Sequence, residues 1–352
     1  MRIHLLGAVL FAAALPAQTW YVTPLGAEFF EGNSSSGISF GFNNVNTQSR
    51  IQNIDINMVG RSAPILIRRI AWRRNNAANA TATARTADVT LIMSHGDFNA
   101  MTSTFASNYK DAPVTVFTRK NVNVPDWTQA PAQAPAEFDF SLPFDTPFIY
   151  NRQDGLLWEI VVENLSNPAS HSMDFTRAVL HAYGDYPDQL AAGCATAAGP
   201  MTHAACLRVN ASRLEMGFKV FAAPPGASAL ALIGASDPNL SVPGLCAPLR
   251  TNFLAVVPIG TADATGLVPL SLPLSAAWTP LFAGARFYTQ VLAPDASQPG
   301  FPVALSNALR CPVPLGTSVN PVNIKRSYST SNAFAVSGST PEISAVITRF
   351  SF

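Results

Sequence analysis

Two glutamates, Glu159 and Glu163, are the residues best suited by type and spacing to acid–base chemistry, and they lie in the segment LLWEIVVEN at 156–164. The apolar run predicts a β-strand, on which Glu159, Val161 and Glu163 share one face. Paired carboxylates are the groups that glycoside hydrolysis requires. Val161 stands between them and supplies no third carboxylate. We therefore favour a solvent-facing polar row opposite a core row, and keep carbohydrate binding or cleavage at Glu159 and Glu163 as the alternative.

Serine, histidine and aspartate also stand close together, as Ser94, His95 and Asp97. A hydrolase triad needs these side chains to converge from separate segments beside an oxyanion hole, so neighbouring positions do not build one. Asp97 fits better as the N-cap of a short helix running to Asn108. We predict no catalytic residue in this chain.

Trp127 is the most attractive candidate for stacking on a sugar, because it stands in a Pro/Ala/Gln-rich stretch, 125–135, that predicts a surface loop. Trp158, by contrast, has the pattern of a core residue. The predicted ligand-binding set is therefore Trp127, Glu159 and Glu163.

Four arginines, Arg68, Arg69, Arg73 and Arg74, form the only basic cluster. On a strand they divide between both faces, which argues against a continuous phosphate-binding stripe. The net charge of +1 gives no bulk attraction for nucleic acid either. We interpret the cluster as ordinary edge-strand charge and predict no nucleic-acid partner.

Oxygen ligands for calcium are sparse. The candidates are Asp185 with Asp188 and Asp139 with Asp145, but no stretch carries the dense set of oxygen ligands that Ca²⁺ prefers. Metal binding is left open, and no cofactor is predicted.

The N-terminal segment predicts that the chain is exported. Residues 1–17 combine a positive start with an apolar run and a small residue before Gln18, the pattern of a secretory signal peptide. No later run is long and apolar enough to predict a membrane-spanning helix. The expected location is outside the cell, at its surface or in the periplasm.

Four cysteines in an exported chain predict two disulfides, with three possible connectivities. We favour Cys194 with Cys206, which closes a short Ala/Gly-rich loop, and Cys246 with Cys311.

Length and pattern predict an all-β protein of two antiparallel, jelly-roll-like β-sandwich domains with at most short helices. The first domain is predicted to span 18–190 and the second 208–352. A disulfide-closed linker at 191–207 is predicted to connect them. A hairpin is predicted at 281–309, where alternating residues flank Pro/Gly-rich turn signals. The strand predicted at 343–352 fits either sheet.

Several segments resemble a module of secreted planctomycete-type bacterial β-sandwich proteins of unknown function. They are AAPPGASALALIG at 222–234, FYTQ at 287–290, LSNA at 305–308, TFASN at 104–108 and TRF at 348–350. The resemblance covers most of the mature chain and implies the sandwich fold. It implies no catalytic residue.

Two functions are consistent with these features. The first is a structural or adhesive protein, secreted or at the cell surface and without catalytic activity, and the second is an extracellular carbohydrate-binding or glycoside-hydrolase-like sandwich. The corresponding partners are an extracellular polysaccharide or another cell-surface protein.

Overall fold

A computed structural model describes residues 20–37, 39–40, 45–61, 63–131, 134–177, 181–210, 212–269, 273–318 and 322–352. Across these ranges the chain forms antiparallel β-sheets, two short 3-10 turns and no α-helix, which confirms the predicted all-β class. No helix within them is long and apolar enough to cross a membrane. The predicted signal peptide, 1–17, lies outside the described residues.

The first thirteen strands are β1 (Trp20–Thr23), β2 (Ser34–Ser36), β3 (Ser49–Asp55), β4 (Ile65–Trp72), β5 (Arg85–Gly96), β6 (Val114–Val124), β7 (Phe140–Tyr150), β8 (Gly155–Glu163), β9 (Met173–Thr176), β10 (Ala182–Tyr183), β11 (Asp188–Ala191), β12 (Ala195–Thr196) and β13 (Gly199–Pro200).

The remaining strands are β14 (Thr202–Asn210), β15 (Arg213–Phe221), β16 (Ser228–Gly234), β17 (Ala255–Thr261), β18 (Val268–Pro269), β19 (Leu274–Ala277), β20 (Arg286–Pro294), β21 (Val303–Leu305), β22 (Ala308–Pro312), β23 (Ile324–Ser329), β24 (Glu342–Ile343), β25 (Ala345–Val346) and β26 (Thr348–Ser351). The 3-10 turns are Phe105–Asn108 and Pro280–Phe282.

Two hydrophobic cores divide most of these strands into two units. The first unit has three sheets, ordered β1-β26-β4-β7, β2-β9-β25 and β24-β23-β3-β8-β5-β6, and its core includes Trp72, Trp158 and Phe350. The second unit has the sheets β10-β14-β15-β18 and β11-β22-β20-β16-β17, with Phe218 and Val291 in its core. In the second unit, β19 also pairs with β15 and β21 with β20.

The stretch 281–309 contains the predicted hairpin. β20 pairs antiparallel with β21, and Leu292 lies opposite Leu305. β20 also pairs with β16 and β22, so it is an interior strand of its sheet.

The C-terminal segment pairs with the first unit, whereas the sequence predicted a second domain at 208–352 and left the sheet of the last strand, 343–352, open. β23 pairs with β3, β25 with β9, and β26 with both β1 and β4. The predicted strand at 343–352 is divided into β24, β25 and β26 because its pieces join three different sheets. The second unit is therefore inserted into the first.

The predicted disulfide pairing is wrong. Cys194 is bonded to Cys246 with a Cα–Cα distance of 5.5 Å, while Cys206 and Cys311 are buried free thiols. The predicted linker 191–207 is not a free loop, because β14 starts at Thr202 and Cys206 lies within it, opposite Gly217. Cys206 is the fifth residue of β14. At about 3.3 Å for each residue, the strand carries Cys206 too far from Cys194 for a disulfide.

We expect disulfide mapping by mass spectrometry to find the Cys194–Cys246 linkage and no other. Burial raises the pKa of Cys311 to about 12 and raises that of Cys206 as well, so neither thiol forms the reactive thiolate at neutral pH. Iodoacetamide should label Cys206 and Cys311 only in denaturant. Labelling of either thiol in the native protein would contradict this structure.

The prediction that the basic cluster lies on an edge strand is wrong, because β4 is an interior strand between β26 and β7. Arg73, just after β4, is fully buried and binds the equally buried Asp174, with Nη2–Oδ2 at 2.7 Å. Asp174 also accepts the backbone N–H of Gly32, and Arg73 donates to the carbonyl of Phe30. This ion pair fastens the N-terminal segment to β4 and β9.

We expect Asp174→Asn to lower the free energy of unfolding by about 3–5 kcal/mol, because it leaves the Arg73 guanidinium buried without its counter-charge. The matched control is Asp188→Asn, which breaks the exposed pair with Arg310 and should cost less than about 1 kcal/mol. Urea denaturation measures both. Equal losses of unfolding free energy would show that the buried ion pair stabilises the fold no more than the exposed one.

Candidate functional site

Glu159 is buried, not solvent-facing as predicted, because a loop covers its face of β8. Its Oε1 accepts hydrogen bonds from Arg50, and its Oε2 accepts from Gln52 at 2.9 Å and from the hydroxyl of Tyr109 at 2.8 Å. The side chain has no exposed area. Burial and the neighbouring Glu159 raise the pKa of Tyr109, so its phenol remains a proton donor.

The covering loop is residues 97–110. The helix predicted from Asp97 to Asn108 is absent except for the 3-10 turn Phe105–Asn108. Asp97 accepts the backbone N–H groups of Asn99 and Ala100, which closes a local turn in place of a helix cap. Gln52 stabilises the loop conformation over a helix, because its side chain donates to the carbonyl of Phe105 and accepts from Asn108. These two hydrogen bonds connect the loop to β3.

A groove of about 570 Å³ lies between this loop, the β7–β8 turn and the end of β3. We call it the strand-end groove, and its polar and aromatic lining consists of Asp97, Phe98, Asn99, Ser107, Asn108, Tyr109, Lys110, Gln153 and Asp154. Its lining therefore combines amides, carboxylates, an ammonium group and two aromatic rings.

The charges at the groove are largely neutralised within it. Lys110 Nζ lies 2.5 Å from Asp154, a hydrogen bond that raises the pKa of Lys110 and lowers that of Asp154. Asn99 and Gln153 are exposed, and their side-chain amides make no hydrogen bond with other described residues. Groups of this kind donate and accept hydrogen bonds with a neutral, hydroxyl-rich ligand.

Two glycines, Gly96 and Gly155, lie opposite each other where β5 and β8 meet the groove. A Cβ at Gly155 would lie 2.7 Å from Cγ2 of Ile54, and one at Gly96 would lie 2.9 Å from its Cδ1. Ile54 packs in a small apolar cluster with Phe98 and Tyr109. The glycines therefore let the aromatic wall of the groove pack onto the sheet.

Glu163 is not brought together with Glu159. Four residues of strand separate them by about 13 Å, whereas glycosidase carboxylates lie about 5–9.5 Å apart. Glu163 is nearly buried and lies 3.3 Å from Arg119 at the other end of the strand. The paired-carboxylate mechanism therefore has no geometric support at these two residues.

Trp127 is buried within the first core. Its indole Nε1 donates to Asp139 at 3.0 Å, and its ring stacks on His171 with centroids 4.4 Å apart. Burial lowers the pKa of His171 to about 4, so the stack is between uncharged rings at neutral pH. Neither Trp127 nor Glu163 lines the strand-end groove, and Glu159 lies behind it.

The remaining sequence candidates have structural roles. His95 binds Asp111 and accepts from the backbone N–H of Asn151. Asp185 pairs with Arg61, and Asp145 binds Lys120 and Thr118. Among the described residues, no cluster of histidine, cysteine or carboxylate side chains has the composition to hold a metal ion.

The fold and this groove define an all-β sandwich protein with a polar surface groove. Comparison with protein-family models, with curated proteins and with solved structures gave no match.

The groove residues could not be recognised together from the sequence, because they come from three separate segments of the chain. The available signal was the run Asn151, Arg152, Gln153, Asp154, a polar turn between two strands. No pattern placed that turn beside the loop 97–110.

We expect Glu159→Gln to lower the free energy of unfolding by about 2–4 kcal/mol, because Arg50 and Gln52 lose a buried anionic acceptor. Glu163→Gln is the matched control on the same strand and should cost less than about 1 kcal/mol, since its partner Arg119 is half exposed. Urea denaturation compares them, and a larger loss for Glu163→Gln would contradict the assignment.

Proposed function

We propose that this chain is an exported, non-catalytic β-sandwich protein that adheres to carbohydrate through the strand-end groove. The observation that carries the proposal is the groove lining, in which free amides lie beside the rings of Phe98 and Tyr109. Sugars are bound by hydrogen bonds from planar polar groups and by contact with aromatic rings.

The buried Glu159 supports a binding role for Tyr109. It fixes the hydroxyl of Tyr109 and so holds the ring in one orientation at the groove wall. A rigid aromatic side chain loses little conformational freedom when a ligand binds. Glu159, predicted as a direct ligand contact, acts in this proposal through Tyr109.

Export is supported by the chemistry of the cysteines. The Cys194–Cys246 disulfide is compatible with an oxidising compartment. An extracellular location agrees with a polysaccharide as the partner, and with the resemblance to secreted sandwich proteins.

We expect the full mature chain to bind neutral oligosaccharides on a glycan array, with affinities then measured by calorimetry. The double variant Asn99→Ala/Gln153→Ala removes two exposed groove amides and should weaken binding about ten-fold or more, at about 1 kcal/mol for each hydrogen bond. The control is Gln129→Ala, an exposed amide outside the groove.

An unchanged glycan affinity in the double variant would show that the carbohydrate site lies outside the strand-end groove. Absence of any neutral glycan ligand at millimolar concentration would refute carbohydrate adhesion and leave a structural role.

A further inference from the structure

A second cavity, of about 440 Å³, lies between the two units. We call it the inter-unit cleft. The first unit lines it with Tyr21, Arg61, Arg152 and Phe352, and the connection to the second unit adds Tyr186. Its volume is within the range of about 300–1,000 Å³ that small-molecule sites occupy.

Arg152 forms no salt bridge with any described residue of this cleft. Its Nε is buried and has no hydrogen-bond partner among the described residues. The nearest aromatic contact is the ring of Phe352, 5.9 Å from Cζ. Burial lowers the pKa of Arg152, and Arg61 lowers it further, while only the phenols of Tyr21 and Tyr150 act in the opposite direction. An acceptor from a ligand would relieve this unfavourable burial.

The position of Arg152 is set by its backbone. It has φ of 60°, in the left-handed region that non-glycine residues rarely adopt. Its carbonyl accepts the N–H of Gly60 at 2.8 Å, which fixes the turn against the residues after β3. A strained backbone at an unpaired charge is typical of a functional position.

Tyr21 supplies a second unpaired group. It is 5% exposed, and its hydroxyl has no hydrogen-bond partner among the described residues. Burial raises its pKa, with a further rise from the nearby Asp55, so the hydroxyl stays protonated and able to donate. Asp55 does not line the cleft; its Oδ1 accepts from Asn57, and its Oδ2 has no hydrogen-bond partner among the described residues.

The other charged side chains at the cleft lie beside a charge of opposite sign. Arg61 binds Asp185 at 2.5 Å and packs over the ring of Tyr186. Among the acidic residues of the lining, Asp188 binds Arg310. Glu28 lies 3.4 Å from Lys219, but neither of its buried carboxylate oxygens has a hydrogen-bond partner among the described residues. Among the described residues that line the cleft, Arg152 is thus the cation left without an acidic partner, and a single positive charge matches a single carboxylate group.

We propose that the inter-unit cleft binds a carboxylate carried on a ring-shaped body, through the Arg152 guanidinium and the Tyr21 hydroxyl. The ring would lie against Phe352 and Tyr186. A uronic acid of an acidic polysaccharide has this chemistry, and so does a small aromatic acid. This site is separate from the neutral, strand-end groove.

Calorimetry on the full mature chain tests the proposal with trigalacturonate, its methyl ester and benzoate. Trigalacturonate should bind at least about ten-fold more tightly than the ester, because only the acid offers Arg152 a charged acceptor. Binding of trigalacturonate but not benzoate identifies the sugar source. Binding of benzoate alone identifies a small aromatic acid, and either result supports carboxylate recognition.

Arg152→Gln should weaken binding of the acid about ten-fold or more, and Tyr21→Phe, which removes only the hydroxyl, about three- to ten-fold. The matched control is Arg68→Gln, an exposed arginine on β4 that should leave affinity unchanged. Thermal unfolding checks that each variant folds, and Tyr21→Phe keeps the test available if Arg152→Gln does not.

The groove variant Asn99→Ala/Gln153→Ala should bind the acid as the parent chain does, which separates this site from carbohydrate adhesion. Equal affinity for acid and ester, no binding of either acid, or undiminished binding by Arg152→Gln overturns the proposal.

Discussion

The pairing of β26 on both of its edges is the interaction on which the rest of the structure depends. β26 pairs with β1 on one side and β4 on the other, so the last strand closes a sheet begun by the first. The chain must therefore return to its start after building the second unit. This return brings the rings of Tyr21 and Phe352 to 6.4 Å from each other and creates the boundary where the inter-unit cleft lies.

Buried charges then decide which surfaces the loops cover. The Arg73–Asp174 pair holds the N-terminal segment over the end of β4, and Glu159 holds the loop 97–110 over the outer face of β8. Removing such a charge from water is costly unless its partners are fixed. Both networks therefore require their loops to be in place, and the walls of the strand-end groove follow from that requirement.

The two proposed sites share one turn. The residues 151–154 between β7 and β8 contribute Gln153 and Asp154 to the strand-end groove, while Arg152 lines the inter-unit cleft. The left-handed backbone at Arg152 turns adjacent side chains toward different cavities. The two proposed sites are thus lined by neighbouring residues of a single turn.

Local patterns in the sequence determined the strands, because the alternation of apolar residues fixes which face of β8 packs in the core and where β20 turns back. Those patterns depend on neighbouring residues alone. Only the tertiary structure decided that Cys194 bonds to Cys246, that Glu159 is buried, and that 322–352 joins the first unit. Each of these depends on segments far apart in the chain meeting in space, and the period of a strand carries no information about its distant partner.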